Sequence, residues 1–408
     1  MLNCSEPVIT GRGVVSAIGM GQSKFIRGLQ QGAPVFDVMT RAHRQHHCSH
    51  FIGAQLNDAL LQQPIAALKC PVRSLTLSAK AALVAVGEAF VEAKLDRRGV
   101  AADRIGFVIG GGNFQQRELL GLQAQYHNKP EFLQPSYGLS YLDTDLLGIL
   151  TQQFNVCGES FVVAGASASG QMALIQAARL VETGGVDVAI AVGALNDLSY
   201  WECQGLTAMG AMAECLPGED PLACCRPFDQ SARGFVFGEG CAAVVIERAD
   251  SNVKCFQKIV GSGVYLDANR NPNPSHQGQV NAIAKALKAS HLTPEAIDYI
   301  NTHGTASVLG DQIEVQTLKS LFGQNTRINA SKSLIGHAIS AAGVLECVAT
   351  SLQLEHGFLH GTHNLTHPID DALNWVRQTE SAVKLKKALN LSYGFSGINT
   401  ALVLENIV

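Results

Sequence analysis

No run in this sequence reaches the roughly 18 consecutive apolar residues that a membrane span requires. The amino-terminal MLNCSEPVIT also lacks the basic stretch and apolar core of a secretory signal, so a soluble, cytoplasmic protein is expected. Basic residues are not in excess: the formal net charge is −4, without a basic stripe, which sets aside a nucleic-acid partner. The eleven cysteines contain no CxxC pair and add to an odd number, which speaks for buried thiols in a reducing compartment rather than a disulfide framework. No metal and no intrinsic cofactor are expected. Flexible linkers are missing too, since no Gly/Ser-rich or Pro-rich tract occurs; the 40 glycines therefore point to tight turns and close packing. Charge is scarce, at 16% of residues against 47% hydrophobic ones. So much interior for so little surface implies a further buried face, and at least a homodimer is expected.

What is present repeats itself. Val8-Ile9-Thr10-Gly11-Arg12-Gly13-Val14 resembles Lys258-Ile259-Val260-Gly261-Ser262-Gly263-Val264, each an apolar strand running into Gly-x-Gly-Val. A helical stretch from Leu77 to Leu95 leads to the buried strand around Ile105 to Ile109, as Val280 to Leu292 leads to Ile297 to Ile300. Ser160 to Val163 enters a small-residue turn and a helix from Gln171 to Thr183; Arg327 to Ala330 enters a similar turn and a helix from about His337 onward. Gly238 to Glu247 mirrors Phe395 to Glu405, each a glycine turn before a β-branched strand. The strands are continuous apolar runs, as in sheets covered by helices on both faces. An α/β body with layers α/β/α/β/α is predicted, built from two pseudo-equivalent halves, 1–250 and 251–408. The insertions Gly112 to Leu150 and Leu195 to Asp229 are candidate dimer contacts and pocket walls.

Three turns carry polar side chains where strand meets helix. Ala164-Gly165-Ala166-Ser167-Ala168-Ser169-Gly170 places a serine beside backbone N–H groups and the positive end of a helix, a geometry for an oxyanion or a nucleophile. Helix N-capping by Ser167 and Ser169 is the plainer reading of the same residues. Asn301-Thr302-His303-Gly304-Thr305-Ala306-Ser307 follows a strand and precedes Gly310-Asp311 and Glu314. Lys332-Ser333-Leu334-Ile335-Gly336-His337 precedes a long helical stretch that contains Glu346. A lone histidine is more often structural than catalytic; two at equivalent turns of two repeats shift that weighting.

These motifs resemble the β-ketoacyl synthase family, of thiolase-like fold, in order and along nearly the whole chain: Arg226-Pro227-Phe228-Asp229, Arg233-Gly234-Phe235-Val236-Phe237-Gly238-Glu239-Gly240, His303-Gly304-Thr305 with Gly310-Asp311, Lys332-Ser333 with Gly336-His337, and Asn390-Leu391-Ser392-Tyr393-Gly394-Phe395. The resemblance implies a Cys-His-His triad in which His303 and His337 are the histidines and Ser167 stands at the cysteine. It also implies that Lys332 and Glu346 orient the second histidine, that Phe235 faces a malonyl carboxylate, and that Thr305 and Ser307 contact a phosphopantetheine arm. The amides of Ser167 and Phe395 correspond to an oxyanion hole; Ser396 stands where a glycine is common. A serine hydroxyl stays protonated and is a poor nucleophile unless a base activates it, whereas two histidines can still stabilise an enolate. Decarboxylation of a malonyl thioester on an acyl carrier protein should therefore survive while acyl loading fails. Serine-bearing relatives of this shape resemble the decarboxylases of polyketide β-branching, which supply a hydroxymethylglutaryl-synthase-like partner.

Two other readings stand beside this one: an acyltransferase or slow condensing enzyme working through an oxyester on Ser167, and a catalytically silent partner subunit that shapes another ketosynthase's pocket. The segment Arg41 to His50, with four histidines and Cys48, reads as a solvated loop, a metal site, or a contact for an acidic carrier. Gly11-x-Gly13 and Gly110-Gly111-Gly112 do not complete a dinucleotide fingerprint and suggest close backbone packing. Cys224-Cys225 carries no assigned role, and Met172, Met209 and Met212 are either pocket walls or core.

Overall fold

The computed structural model describes residues 6–66, 75–249 and 253–407. The first half supplies β1 (Pro7–Ser16), α1 (Leu77–Glu92), β2 (Ile105–Gly110), β3 (Phe161–Val163), α2 (Ser169–Glu182), β4 (Val188–Gly193), α3 (Tyr200–Ala208) and β5 (Gly240–Arg248). The second supplies β6 (Gln257–Leu266), α4 (His276–Ala289), β7 (Tyr299–Asn301), α5 (Val308–Leu321), β8 (Arg327–Asn329), α6 (Ala342–His356), β9 (Asn374–Trp375), β10 (Lys387–Gly394) and β11 (Ile398–Asn406). The sheet order is β9-β8-β7-β10-β11-β6-β1-β5-β4-β2-β3. β1 meets β6 through only two register pairs, Val8 with Lys258 and Ile9 with Gln257, so two half-sheets join at one corner.

Between the half-sheets lie α2 and α6. Every residue of α6 from Ala342 to Leu354 is buried, which no surface helix could tolerate and which its lack of a polar stripe requires. α1 covers the outer face of the first half-sheet, and α4 with α5 that of the second, completing the five layers. β1, β2 and β4 are buried along their whole length, the signature of strands covered on both faces. Side-chain caps fix where the outer helices start: Thr76 accepts from the Ala79 amide at α1, and Ser275 from the Gly278 amide at α4.

The duplication extends to irregularities. β1 and β5 slip register between Ile9 and Gly11, and β6 and β11 slip between Ile259 and Gly261. A Cβ at Gly13 would lie 1.8 Å from the Ala85 carbonyl oxygen, and one at Gly263 would lie 2.0 Å from that of Ala282. The glycine pairs thus let a helix backbone lie directly on a strand. The β4 and β10 pair is a further correspondence that the sequence pattern did not single out.

Four expectations need correction. α6 begins at Ala342 after a 3₁₀ turn at Ile339–Ala341, not near His337, because His337 is held in the preceding loop by backbone bonds to Val236 and Gly238. α4 begins at His276, four residues early, where Ser275 caps it, and α2 begins at Ser169. The histidines are also not at equivalent turns of the two repeats: both belong to the second half. The counterpart of the Ile339–Ala341 turn is Ala166–Ala168, which carries Ser167.

Ser396 takes a left-handed φ of 67° in the β10–β11 turn, where glycine would be free of strain. The left-handed region costs a residue with a Cβ about 1 kcal/mol, so Ser396→Gly should stabilise the fold by up to about that amount. Urea denaturation reads this directly, and a loss of stability would mean that the serine side chain holds the turn.

Candidate active site

A cavity of about 600 Å³ opens where the two halves meet, and Ser167, His303, His337, Phe235, Phe395, Thr305 and Ser307 all line it. The serine and both histidines come from turns that follow short strands. The Ser167 turn follows β3, and Ala166 before it takes a left-handed φ of 48°. Ser169 locks that turn by accepting from the Gly165 amide at 2.8 Å and donating to the Ala166 carbonyl at 2.7 Å. Ser169 is therefore structural, while Ser167 makes no capping bond and faces the cavity. The end of β10 presses against the same turn: a Cβ on Gly394 would be 2.3 Å from the Gly165 oxygen, and this contact brings Phe395 to Ser167.

The His303 turn follows β7 and is held from beneath by two carboxyls of the first turns of α5. Asp311 accepts from the amides of Phe228, Thr305 and Ala306, and Glu314 from those of His303 and Gly304, both at 2.8 Å. Burial pushes Asp311 up to about 7 and Glu314 up to about 8. Sequence reading had noted both residues without a role; their three-residue spacing puts them on one helix face, which was the available signal. Thr305 donates to Ser307 at 3.0 Å, so the two hydroxyls form one polar edge of the cavity.

Lys332 is almost fully buried and uses its three donors on Glu346 at 2.5 Å, the His303 carbonyl at 2.6 Å and His303 Nδ1 at 3.4 Å. The expectation that this pair orients the second histidine is thus corrected: it addresses His303. A different donor serves His337, whose Nδ1 accepts from the Ile339 amide at 3.3 Å because Ile339 turns back with a left-handed φ of 48°. Burial, then the Lys332 ammonium, holds both imidazoles well below the usual histidine range, so both are neutral. With each Nδ1 occupied as an acceptor, each proton sits on Nε2. His337 Nε2 accordingly donates to Ser167 Oγ, 2.9 Å away.

Phe235 stands edge to face with His337, ring centroids 4.9 Å apart, and the two imidazoles stand at 5.6 Å and 89° to each other. Tyr393, also in the lining, packs against His303 at 5.5 Å; sequence reading gave it no role. The second insertion forms a wall through Leu198, Glu202, Leu206 and Met209, whereas Met212 lies in the core beside Phe235 and Met172 is outside the lining. The histidines of 43–50 form no metal-ligating group among the described residues: His46 bonds Gln204 and packs on His47, and the fully buried Arg44 anchors the loop to Asp197 and Glu239. Among the described residues the one cluster with metal-ligand proximity is Cys215, Glu219 and Cys224, and Arg233 engages its carboxylate.

The turns, the paired neutral histidines and the five layers can be set against known proteins. Residues 5–252 match the family described as Beta-ketoacyl synthase, N-terminal domain, and residues 256–366 match Beta-ketoacyl synthase, C-terminal domain. The polyketide biosynthesis malonyl-ACP decarboxylase PksF of Bacillus subtilis (strain 168) is 46% identical, over 99% of this chain and 97% of its own. Among solved structures, the ishigamide ketosynthase/chain length factor superimposes with a TM-score of 0.89 at 23% identity, covering 99% of this chain and 100% of that one. A ketosynthase solved in complex with its type II PKS acyl-carrier protein superimposes with a TM-score of 0.88 at 22% identity, covering 100% of both chains. With the first of those matches spanning more than half of its length, the chain belongs to the β-ketoacyl synthase family.

Proposed function

We propose that this protein decarboxylates a malonyl group carried on the phosphopantetheine of an acyl carrier protein, releasing CO₂ and acetyl-carrier protein without condensation. The observation that carries the proposal is the pair of neutral histidines whose Nε2 protons are fixed by their Nδ1 partners, beside a serine that cannot be deprotonated by either. Both Nε2–H groups can donate to the thioester oxygen as charge moves onto it from the breaking carbon–carbon bond, His337 sharing its one proton between that oxygen and Ser167 Oγ in a three-centre bond. A charge that grows during the reaction is stabilised more than the starting thioester, so the donors act on kcat. Phe235, pressed on His337, gives the malonyl carboxylate an apolar neighbour, which favours its departure as neutral CO₂. Thr305 and Ser307 are assigned to the arm, and the amides of Ser167 and Phe395 to the oxyanion hole.

The acyl-enzyme reading needs His337 Nε2 as a proton acceptor, and the Ile339 amide on Nδ1 opposes that tautomer. The relative named as a malonyl-ACP decarboxylase supports the reaction and a polyketide pathway, while a place in β-branching with a hydroxymethylglutaryl-synthase-like partner rests on the family resemblance of the serine-bearing site. A homodimer is supported by the exposed apolar side chains Phe132, Leu139, Tyr141 and Leu142 of the first insertion.

Incubation with malonyl-loaded carrier protein, following carrier and enzyme masses together, tests the reaction. Acetyl-carrier should appear with no mass added to the enzyme; an acylated Ser167 would establish the transferase instead. Since burial holds both histidines neutral well below pH 6.5, neither imidazole should impose its own titration on kcat between pH 7.5 and 6.5. A fall centred near pH 6.5 that disappears in Glu346→Gln belongs to that carboxyl, which lies at about 7; one that persists there and in Asp311→Asn would show a histidine that is not held neutral.

A further inference from the structure

Decarboxylation leaves an enolate whose Cα must receive a proton, and the two histidines are committed to oxygen. We propose that the Ser167 hydroxyl is the acid that protonates Cα. The assignment rests on the decarboxylation proposed above and adds the group that completes it.

Three observations converge on this hydroxyl. Ser167 occupies the turn that faces the cavity from the first half, opposite the histidines of the second. Its Oγ accepts a hydrogen bond from His337 Nε2–H, so its own hydrogen must point elsewhere. Among the described residues no acceptor receives that hydrogen: His337 is the sole hydrogen-bond partner of Oγ. A half-exposed hydroxyl that is a fixed acceptor on one side and a free donor on the other is oriented toward the space a substrate fills. The alternative hydroxyl, Tyr393, also belongs to the lining, but its oxygen is buried away from the open space.

The step balances. The bond between Cα and the carboxylate breaks, CO₂ leaves, and the electron pair resides on the enolate. The Ser167 O–H bond then breaks as the new Cα–H bond forms. The resulting alkoxide keeps its share of the His337 hydrogen bond and takes a proton from water entering the cavity, and the hydroxide left behind combines with the released CO₂ as bicarbonate. This role also accounts for an oxygen at this turn: a hydroxyl delivers a proton without competing for the acyl group as a thiolate would.

The test uses the full-length protein, malonyl-carrier protein and ¹³C-labelled bicarbonate in equilibrium with CO₂. In the wild-type protein, protonation follows cleavage at once, and no label enters remaining malonyl-carrier. Ser167→Ala retains both histidines and should still cleave, but its longer-lived enolate recaptures CO₂. Label should then enter malonyl-carrier faster than acetyl-carrier forms, with net kcat down about 10²-fold and KM within twofold of wild type. Ser167→Thr, which keeps a hydroxyl at this place, should suppress the exchange. A purely structural serine would lower cleavage and exchange together. Ser167→Ala that forms acetyl-carrier within threefold of the wild-type rate, or Tyr393→Phe that shows the exchange in its place, would overturn the assignment. A wild-type protein that consumes no malonyl-carrier at all would sink the underlying reaction instead, so the two failures are separate.

Discussion

Alanine at His303 or at His337 is expected to lower kcat for acetyl-carrier formation by about 10²- to 10³-fold, the loss typical of one donor to a developing oxyanion. The loss should fall on kcat, because the thioester oxygen bears little charge in the bound substrate and full enolate charge once CO₂ departs. Both imidazoles line one cavity, at 5.6 Å and 89° to each other, so under the proposed reaction their donors would reach the thioester oxygen from different directions. Removing both should cost less than the product of the single losses, since water can serve an oxygen that has lost one donor. The assay is a rate of malonyl-carrier consumption with the folded state checked by thermal melting. Either single variant within threefold of wild type would remove that histidine from the mechanism.

Lys332→Met should destabilise the fold by about 3–5 kcal/mol, the usual result of stripping one partner from a buried ion pair. Glu346 is left in the core with no cation, and its second oxygen already lacks a partner among the described residues. The size of the loss should depend on pH. Burial holds the Glu346 carboxyl up at about 7 against an ordinary value near 4.5, with Lys332 pulling it down, and without Lys332 it rises further. A carboxyl raised on folding contributes stability that is fully present below its unfolded pKa and lost as pH rises through the folded one. The variant's deficit should therefore be larger at pH 8 than at pH 6, measured by urea denaturation at each. Adding Glu346→Leu should recover most of the stability, because two apolar side chains of similar volume replace the pair. It should not recover activity, since His303 Nδ1 loses the donor that fixes its tautomer. Recovery of both would reduce Lys332 to a packing role.

Much of the site is legible in the sequence. Strand ends can be found from apolar runs, and polar residues just beyond them gather at one edge of an α/β body, so Ser167, His303 and His337 stood out by position. The support beneath them was less visible. Asp311 and Glu314 follow the His303 motif closely, but only the folded turn shows five backbone amides aimed at their oxygens. Lys332 was paired with the wrong histidine because chain order sets it near His337, whereas the backbone turns its ammonium toward His303, 29 residues away.

The duplication, the layering and the chemical inventory of the cavity can be read along the chain, because periodicity, glycine turns and residue types are local properties. How that inventory is wired depends on the folded contacts. Which histidine nitrogen carries the proton depends on an amide two residues away in one case and on a buried lysine in the other. Whether Ser167 is an acid, a nucleophile or a cap depends on which atom His337 presents to it across 170 residues of chain. Directions of hydrogen bonds are set by contacts distant in sequence, and a linear pattern does not contain them.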